Sequence, residues 1–598
     1  MDRKSYIVNR LGVAALVIIT GAACAKISAP SGGPKDTDPP VILKSQPENG
    51  TVMFTEKSFT VTFDEYVVLD KITDKFMVSP PLETKPEVKL KGKDLVVSWD
   101  EELADSTTYT FYFQDAIRDN NENNPIPNYQ YVFSTGPVLD SLTVTGDVFN
   151  AYDLEAAADM QVMMYSNLSD TAPRTLLPAY ISRPDPSGGF VISNVKPGSY
   201  RLYAVKDLNG NKKYDLEAET FAFCDSVLVI TPEEYSVNDI DSISYKPATA
   251  AESAKADIYT YGRHRIYAFL VDPSKQYLKF TERKSAGSLS FGLALPSDTG
   301  EFSVTLADVP AEAWFMENNT KRDTFRLWIT ADSVYNRSVI EALVTYPFTD
   351  TTGVNISRTD TVSLRFQKPA VTRGTPRRAG LTLRTNLSSR IRPGTLPWFA
   401  GMAPLNYPDT SKITLTRVVD SVAVNVPFTF IRDSLDFRIY RLNTRLLPGV
   451  SYLLSCSDSA FSDIYHSYSD STGYRISVAT REDYGNVTAS LTGYEGGVIV
   501  QLLADREKVV REVFVKSPGK AVFELLDKGR YRMKVIYDYD GNRGWTTGSY
   551  SPLVSPEPVT YYNGELDVKI NWELEQDWNI GLKNRKDVSL RSKPEIKR

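Results

Sequence analysis

The feature that most limits what this chain can fold into is a period of two in side-chain polarity, repeated in short runs along most of its length. Phe59, Val61 and Phe63 recur at every second place in SFTVTF, Leu95, Val97 and Trp99 in DLVVSW, and Tyr109, Phe111 and Phe113 in TYTFYF. Such runs, divided by turn residues, specify half-buried antiparallel strands whose apolar faces must meet across two sheets. The 34 tyrosines and the shortage of long runs of helix formers favour strands as well. A chain of 598 residues exceeds one core. The expected fold class is therefore all-β, a multidomain string of antiparallel β-sandwiches.

Breaks in the alternation divide the chain into segments 40–137, 138–247, 251–368, 381–482 and 484–575. The basic, turn-rich VTRGTPRRAG between the third and fourth reads as a solvated linker. Two segments are repeated. G198-S-Y200-R-L-Y-A-V-K-D207-L-N-G210-N211-K aligns without a gap on G529-R-Y531-R-M-K-V-I-Y-D538-Y-D-G541-N542-R, with Tyr214 and Trp545 at the same later place. More loosely, Tyr109, Asp115 and Asp119 find counterparts in Tyr452, Asp458 and Asp463. The expected organisation is a duplicated two-domain unit around a central β domain at 251–368.

The repeated loop carries the one ligand-like pattern. Asp207, Asn209, Asn211 and Asp215, with Glu217 or Glu219 closing, place oxygen donors at alternate positions around a glycine, which suits a Ca²⁺ ion needing six to eight oxygens. A hairpin whose Asn-Gly-Asn supplies positive φ explains the same residues without a metal. In the second copy Thr546 replaces Asp215, reducing the acidic set to Asp538 and Asp540. Turn geometry is the feature both copies share. Asp115 and Asp119 are read as turn caps in the same spirit, not as a carboxylate pair for acid–base chemistry.

At the amino end, Arg3, Lys4 and Arg10 precede an apolar run from Leu11 to Ile19, and Gly21, Ala22 and Ala23 lead into Cys24. The run is too short to span a bilayer and reads as a signal peptide over 1–23. Small residues before Cys24 resemble a bacterial lipobox, although Gly21 stands where that family usually has Leu. The resemblance implies cleavage there and a covalent lipid on Cys24, with 24–39 as a Pro/Gly-rich tether. Cys224 and Cys456 lie in different segments and are expected to be buried small hydrophobes, not a disulfide.

The tether AKISAPSGGPKDTDPP and the order of residues in 40–137, from FTVTFDE through YTF to DAIRD and FST, resemble Bacteroidetes lipoproteins with an SbsA-type bacterial Ig-like domain. The strand pair around Val191 and Tyr200 joined by NVKPG resembles transthyretin-like or carboxypeptidase-regulatory-like modules. These resemblances imply an outer-membrane, lipid-anchored protein, with 381–482 as a second Ig-like sandwich and 484–575 as a second transthyretin-like one. Asp-Ser/Thr followed by an apolar residue recurs, as at Asp140, Asp170 and Asp433, and resembles the O-glycosylation signal of that group.

A formal net charge of −6 gives no electrostatic footprint for nucleic acid. His264 and His466 are the whole histidine complement, and no nucleophile elbow or phosphate loop appears. The expectation is a non-catalytic scaffold, an accessory subunit of an outer-membrane assembly or secretion machine whose partners are other envelope proteins. A surface carbohydrate-binding protein is the alternative, with Trp314 and Trp398 as candidate platforms. The basic segment 579–598 is read as a disordered tail.

Overall fold

The computed structural model describes residues 37–216, 218–232, 264–272, 275–351, 353–366, 380–419 and 422–581. Cys24 and its tether as far as residue 36 lie outside them, as do most of the linker 371–380 and residues 582–598. The fold is all-β and largely antiparallel, with 49% of the chain in strands.

In the first module, strands Ile42–Gln46, Ser58–Phe63, Asp94–Ser98 and Glu87–Lys91 form one sheet, and Met77–Ser79, Thr108–Gln114 and Tyr129–Ser134 the other. The alternating residues read from sequence do face one another. Phe59, Val61, Phe63, Leu95, Val97, Phe111 and Phe113 are all buried in one cluster, with Phe59 stacked on Tyr131 at 3.7 Å. The fourth module has the same local lock at its edge. The Tyr109 hydroxyl accepts a hydrogen bond from the Ala104 amide at 2.9 Å, and Tyr452 accepts one from Leu447 at 2.8 Å, each five residues upstream. This resembles the tyrosine corner of β-sandwiches.

The second and fifth modules share a topology that goes beyond the aligned stretch. Leu142–Asn150 pairs antiparallel with Gly189–Val195 and parallel with His264–Leu270. Gly485–Thr492 pairs antiparallel with Gly519–Leu526 and parallel with Glu573–Asn579. In each, a long strand, Gly198–Val205 or Gly529–Asp538, then takes three antiparallel partners. Tyr200 and Tyr531 donate to the carbonyls of Lys196 and Asp527 at 2.9 and 2.8 Å, one tether at one place in both copies.

Two boundaries differ from the sequence reading. RIYAFLVD falls within 251–368, the range expected for the central domain, but it supplies strand His264–Leu270, which closes the second module's sheet. Gly146 makes room for it, since a Cβ there would sit 2.2 Å from the His264 carbonyl. The central sandwich begins at Leu278 and runs to Arg365. Likewise the fifth module does not stop at 575, because its closing strand reaches Asn579 and buries Trp578 and Ile580. Residues 579–581 therefore belong to the fold and not to a tail.

The modules follow one another along the chain, and the chain also folds back. Asn194 donates to Thr110 between modules one and two, and Tyr465 to the Gly287 carbonyl between modules four and three. Arg392 pairs with Asp527 between four and five. The fifth module rests on the second, where Thr547 donates to the Leu270 carbonyl at 2.7 Å and Ser555 to Asp225 at 2.8 Å.

Candidate functional site

Asp207, Asn209, Asn211 and Asp215 are brought together in one loop at the end of Gly198–Val205. Gly210 at φ 78° and Lys212 at φ 59° turn the chain there. Asp207 accepts from the amides of Gly210 and Lys212, both at 2.8 Å, and Asp215 accepts from the side-chain amides of Asn209 and Asn211 at 3.0 and 2.6 Å. Glu219 is fully buried and accepts from the amides of Leu208, Asp215 and Leu216. Glu217 lies outside the described residues. The oxygens of this loop are thus occupied by its own N–H groups, which is how an Asx-rich turn satisfies buried donors.

The second copy is built alike, with Gly541 at φ 75° and Arg543 at φ 62°. Its closing acid is Glu557, 6% exposed, which accepts from the amides of Tyr539 at 2.6 Å and Thr546 at 2.9 Å, the counterparts of Leu208 and Asp215. The acidic set is therefore not reduced to Asp538 and Asp540. One oxygen each of Asp538, Asp540 and Glu557 lies within 4.8 Å of the others. Burial pushes the Glu557 carboxyl above its ordinary value, while the Thr546 hydroxyl leads the contacts that hold Asp540 below it.

Sequence alignment misses Glu557 because Glu219 follows Asp215 by four positions and Glu557 follows Thr546 by eleven. The added residues form the joint with module two. Tyr550 packs against Tyr214 at 4.9 Å and Phe221 at 5.0 Å, under the Arg174 guanidinium at 4.2 Å. Trp545 sets its edge on Tyr152 at 5.2 Å and donates to the Glu557 carbonyl at 2.9 Å. A cavity of about 130 Å³ remains between the modules, lined by Leu154, Phe223, Arg265, Phe269 and Glu557.

The other residues singled out by sequence have local roles. Asp119 is buried and its carboxylate accepts four backbone amides, Asn121 to Asn124, at 2.5–2.9 Å. Asp463 does the same for Tyr465 and Ser467, both at 2.9 Å. Asp115 instead pairs with Lys75 at 2.9 Å and Arg118 at 2.6 Å. Burial pushes the Asp119 carboxyl up, and the amides of Asn124, Glu122, Asn123 and Asn121 outweigh it, holding the group below its ordinary value. Asp119→Ala is accordingly expected to lower the first module's melting temperature far more than Asp119→Asn, which keeps one acceptor oxygen. The advantage of wild type over Asp119→Asn should be complete above the unfolded carboxylate value of about 3.9. It should shrink as pH falls through the lower folded value, which thermal melts at neutral and acid pH will measure.

Trp314 and Trp398 lie in different sandwiches, modules three and four, and each is half-buried. Trp314 packs against its module's core, while Trp572 is the more exposed at 49%. Cys224 and Cys456 are free, and burial pushes the Cys456 thiol up to about 11.

With this geometry in place, comparison with known proteins assigns one part of the chain. Residues 36–135 match the family of the bacterial Ig-like domain. No curated protein matches the chain. Among solved structures, the native alpha-2-macroglobulin of Escherichia coli spanning domains MG0-NIE-MG1 is similar at 13% identity and a TM-score of 0.18, covering 43% of this chain and 93% of that one. The S-layer protein SbsC is similar at 11% identity and a TM-score of 0.12, covering 83% of this chain and 65% of its own. The TIE protein of Bacillus anthracis is similar at 9% identity and a TM-score of 0.12, covering 59% and 63%. Scores this low leave the arrangement of modules to be argued from the contacts above. An Ig-like module within an all-β, multi-sandwich chain fits a structural or interaction scaffold and suggests a non-enzymatic protein.

Proposed function

We propose that this chain is an envelope lipoprotein of the outer membrane, anchored through a lipid on Cys24, that holds other envelope proteins in a fixed arrangement as an accessory subunit of an assembly or secretion machine. The second and fifth modules are read as transthyretin-like and the first and fourth as Ig-like. The observation that carries the scaffold reading is the joint between modules two and five, because a chain that closes on itself presents its loops and sheet edges at set separations. A freely jointed row of sandwiches would not. The tether after Cys24 then sets the height of that frame above the lipid.

Two measurements test it together. In cells, Cys24→Ser is expected to move the protein from the membrane fraction to the soluble fraction, with the modules still folded by circular dichroism. Cross-linking of the wild-type chain in whole cells is expected to recover envelope proteins, with yields that fall in the Cys24→Ser strain. Membrane partition unchanged by Cys24→Ser would remove the anchor, and a chain that cross-links to nothing would remove the scaffold.

A further inference from the structure

The unexplained cluster in the structure is Asp538, Asp540 and Glu557. Three carboxylates with an oxygen each inside 4.8 Å repel one another, and two of these residues are more than nine-tenths buried, at 4% and 6% exposure. None of the three has an ion-pair partner among the described residues. Ordinary turn chemistry accounts for the first copy, where both oxygens of Asp207 are hydrogen-bonded. In the second it accounts for Asp540, whose oxygens accept from Asn542 and Thr546, and for Glu557, whose oxygens accept from the amides of Tyr539 and Thr546, but not for Asp538. There the Asp538 Oδ2 accepts only a long bond from the Arg543 amide at 3.3 Å, and its Oδ1 is buried with no hydrogen-bond partner. A buried carboxylate oxygen without a donor is costly unless a cation completes it.

We propose that Asp538, Asp540 and Glu557 bind a calcium ion that clamps the loop joining the fifth module to the second. The donor set is entirely oxygen, with no cysteine or histidine in the loop, which selects a hard cation over zinc or copper. Water and backbone carbonyls complete the six to eight oxygens that calcium takes, because the Asn542 Oδ1 already accepts from the Gly544 amide at 2.6 Å and its Nδ2 donates to Asp540 at 2.9 Å. The placement has a mechanical consequence. Asp538 and Asp540 stand before the excursion 547–556 and Glu557 stands at its end, so one ion ties both ends of the segment carrying Thr547, Tyr550 and Ser555 onto module two. Without the ion, the Tyr539 and Thr546 amides on Glu557 hold the two ends against the repulsion of the three carboxylates.

The full chain, stripped with a chelator and titrated with calcium chloride, tests this by calorimetry and by hydrogen exchange at 539–557. Calcium is expected to bind and to slow exchange across that segment. Asp540→Asn, at an exposed position that leaves the core untouched, is expected to weaken this binding about tenfold or more, and Asp538→Asn and Glu557→Gln to abolish it. Asp207→Asn, in the first copy, should leave exchange at 539–557 unchanged. The proposal is overturned if about 10 mM calcium, above the range of weak extracellular sites, gives neither heat nor protection. It is equally overturned if Asp540→Asn and Asp538→Asn titrate like the wild-type chain, or if protection at 539–557 follows Asp207 instead.

Discussion

Replacing Tyr550 with alanine is expected to release the fifth module from the second while both stay folded. Tyr550 belongs to module five, yet it is only 6% exposed and its neighbours Tyr214, Phe221 and Arg174 belong to module two. Its hydroxyl donates to the Asp170 carbonyl, again across the joint, and burial pushes the phenol up to about 12. An aromatic anchor of this kind is the sort of contact that carries most of an interface's energy, and its truncation costs roughly 3 kcal/mol. At 1.4 kcal/mol per factor of ten, the open form should become about a hundredfold more populated. Hydrogen exchange should therefore quicken at 545–557 and at the facing residues 170 and 214–223, with the core strands Gly497–Leu503 and Gly198–Val205 unchanged. Tyr550→Phe keeps the ring and loses one hydrogen bond, so it should sit near wild type, about 1 kcal/mol away. Exchange unaltered by Tyr550→Ala would mean that the joint is held elsewhere, with Trp545 against Tyr152 the next place to look.

What sequence could and could not convey follows from the range of the signals. The all-β class was legible because strand alternation is local, and Phe59, Val61, Phe63 and Leu95 are buried where their spacing puts them. The turn role of Asp119 was legible for the same reason, since a carboxylate capping four following amides is a contact within five residues. The strand His264–Leu270 was not. It pairs in parallel with Leu142–Asn150, more than a hundred positions earlier, and nothing in RIYAFLVD distinguishes a strand that ends one sheet from one that starts the next. Glu557 was hidden by an insertion. The two copies keep register from Gly198 and Gly529 to Tyr214 and Trp545, and then the seven-position difference in loop length moves the closing acid out of alignment. The joint itself has no periodicity, because Tyr550 and Tyr214 meet through tertiary packing alone.

The first module offers the largest single effect on stability, and Phe133→Ala is expected to produce it. Phe133 is fully buried at the centre of the aromatic cluster, stacked on Phe54 at 3.8 Å and within 6 Å of Trp99, Tyr109 and Phe111. Tyr109 and Phe111 are fixed on the strand paired with that of Phe133, and Phe54 and Trp99 are held in the segments flanking Ser58–Phe63 and Asp94–Ser98, so the space left by a phenyl group cannot close by a small shift of one side chain. A Phe→Ala change in such a place costs about 3–5 kcal/mol, transfer and cavity terms together. That is at least about a fifth of the ~5–15 kcal/mol that holds an ordinary domain, and most of it in a domain at the low end. Leu43→Ala, at a position 62% exposed on an edge strand of the same module, should stay within about 0.5 kcal/mol. A single unfolding curve is not the right measure for a chain of several cores, so denaturant-dependent hydrogen exchange should be read module by module. Residues 37–135 should then open at lower denaturant in Phe133→Ala while 278–365 and 384–478 hold their midpoints. If all the modules moved together instead, the contacts among them, from Asn194 with Thr110 to Tyr550 with Tyr214, would make one cooperative unit of the whole chain.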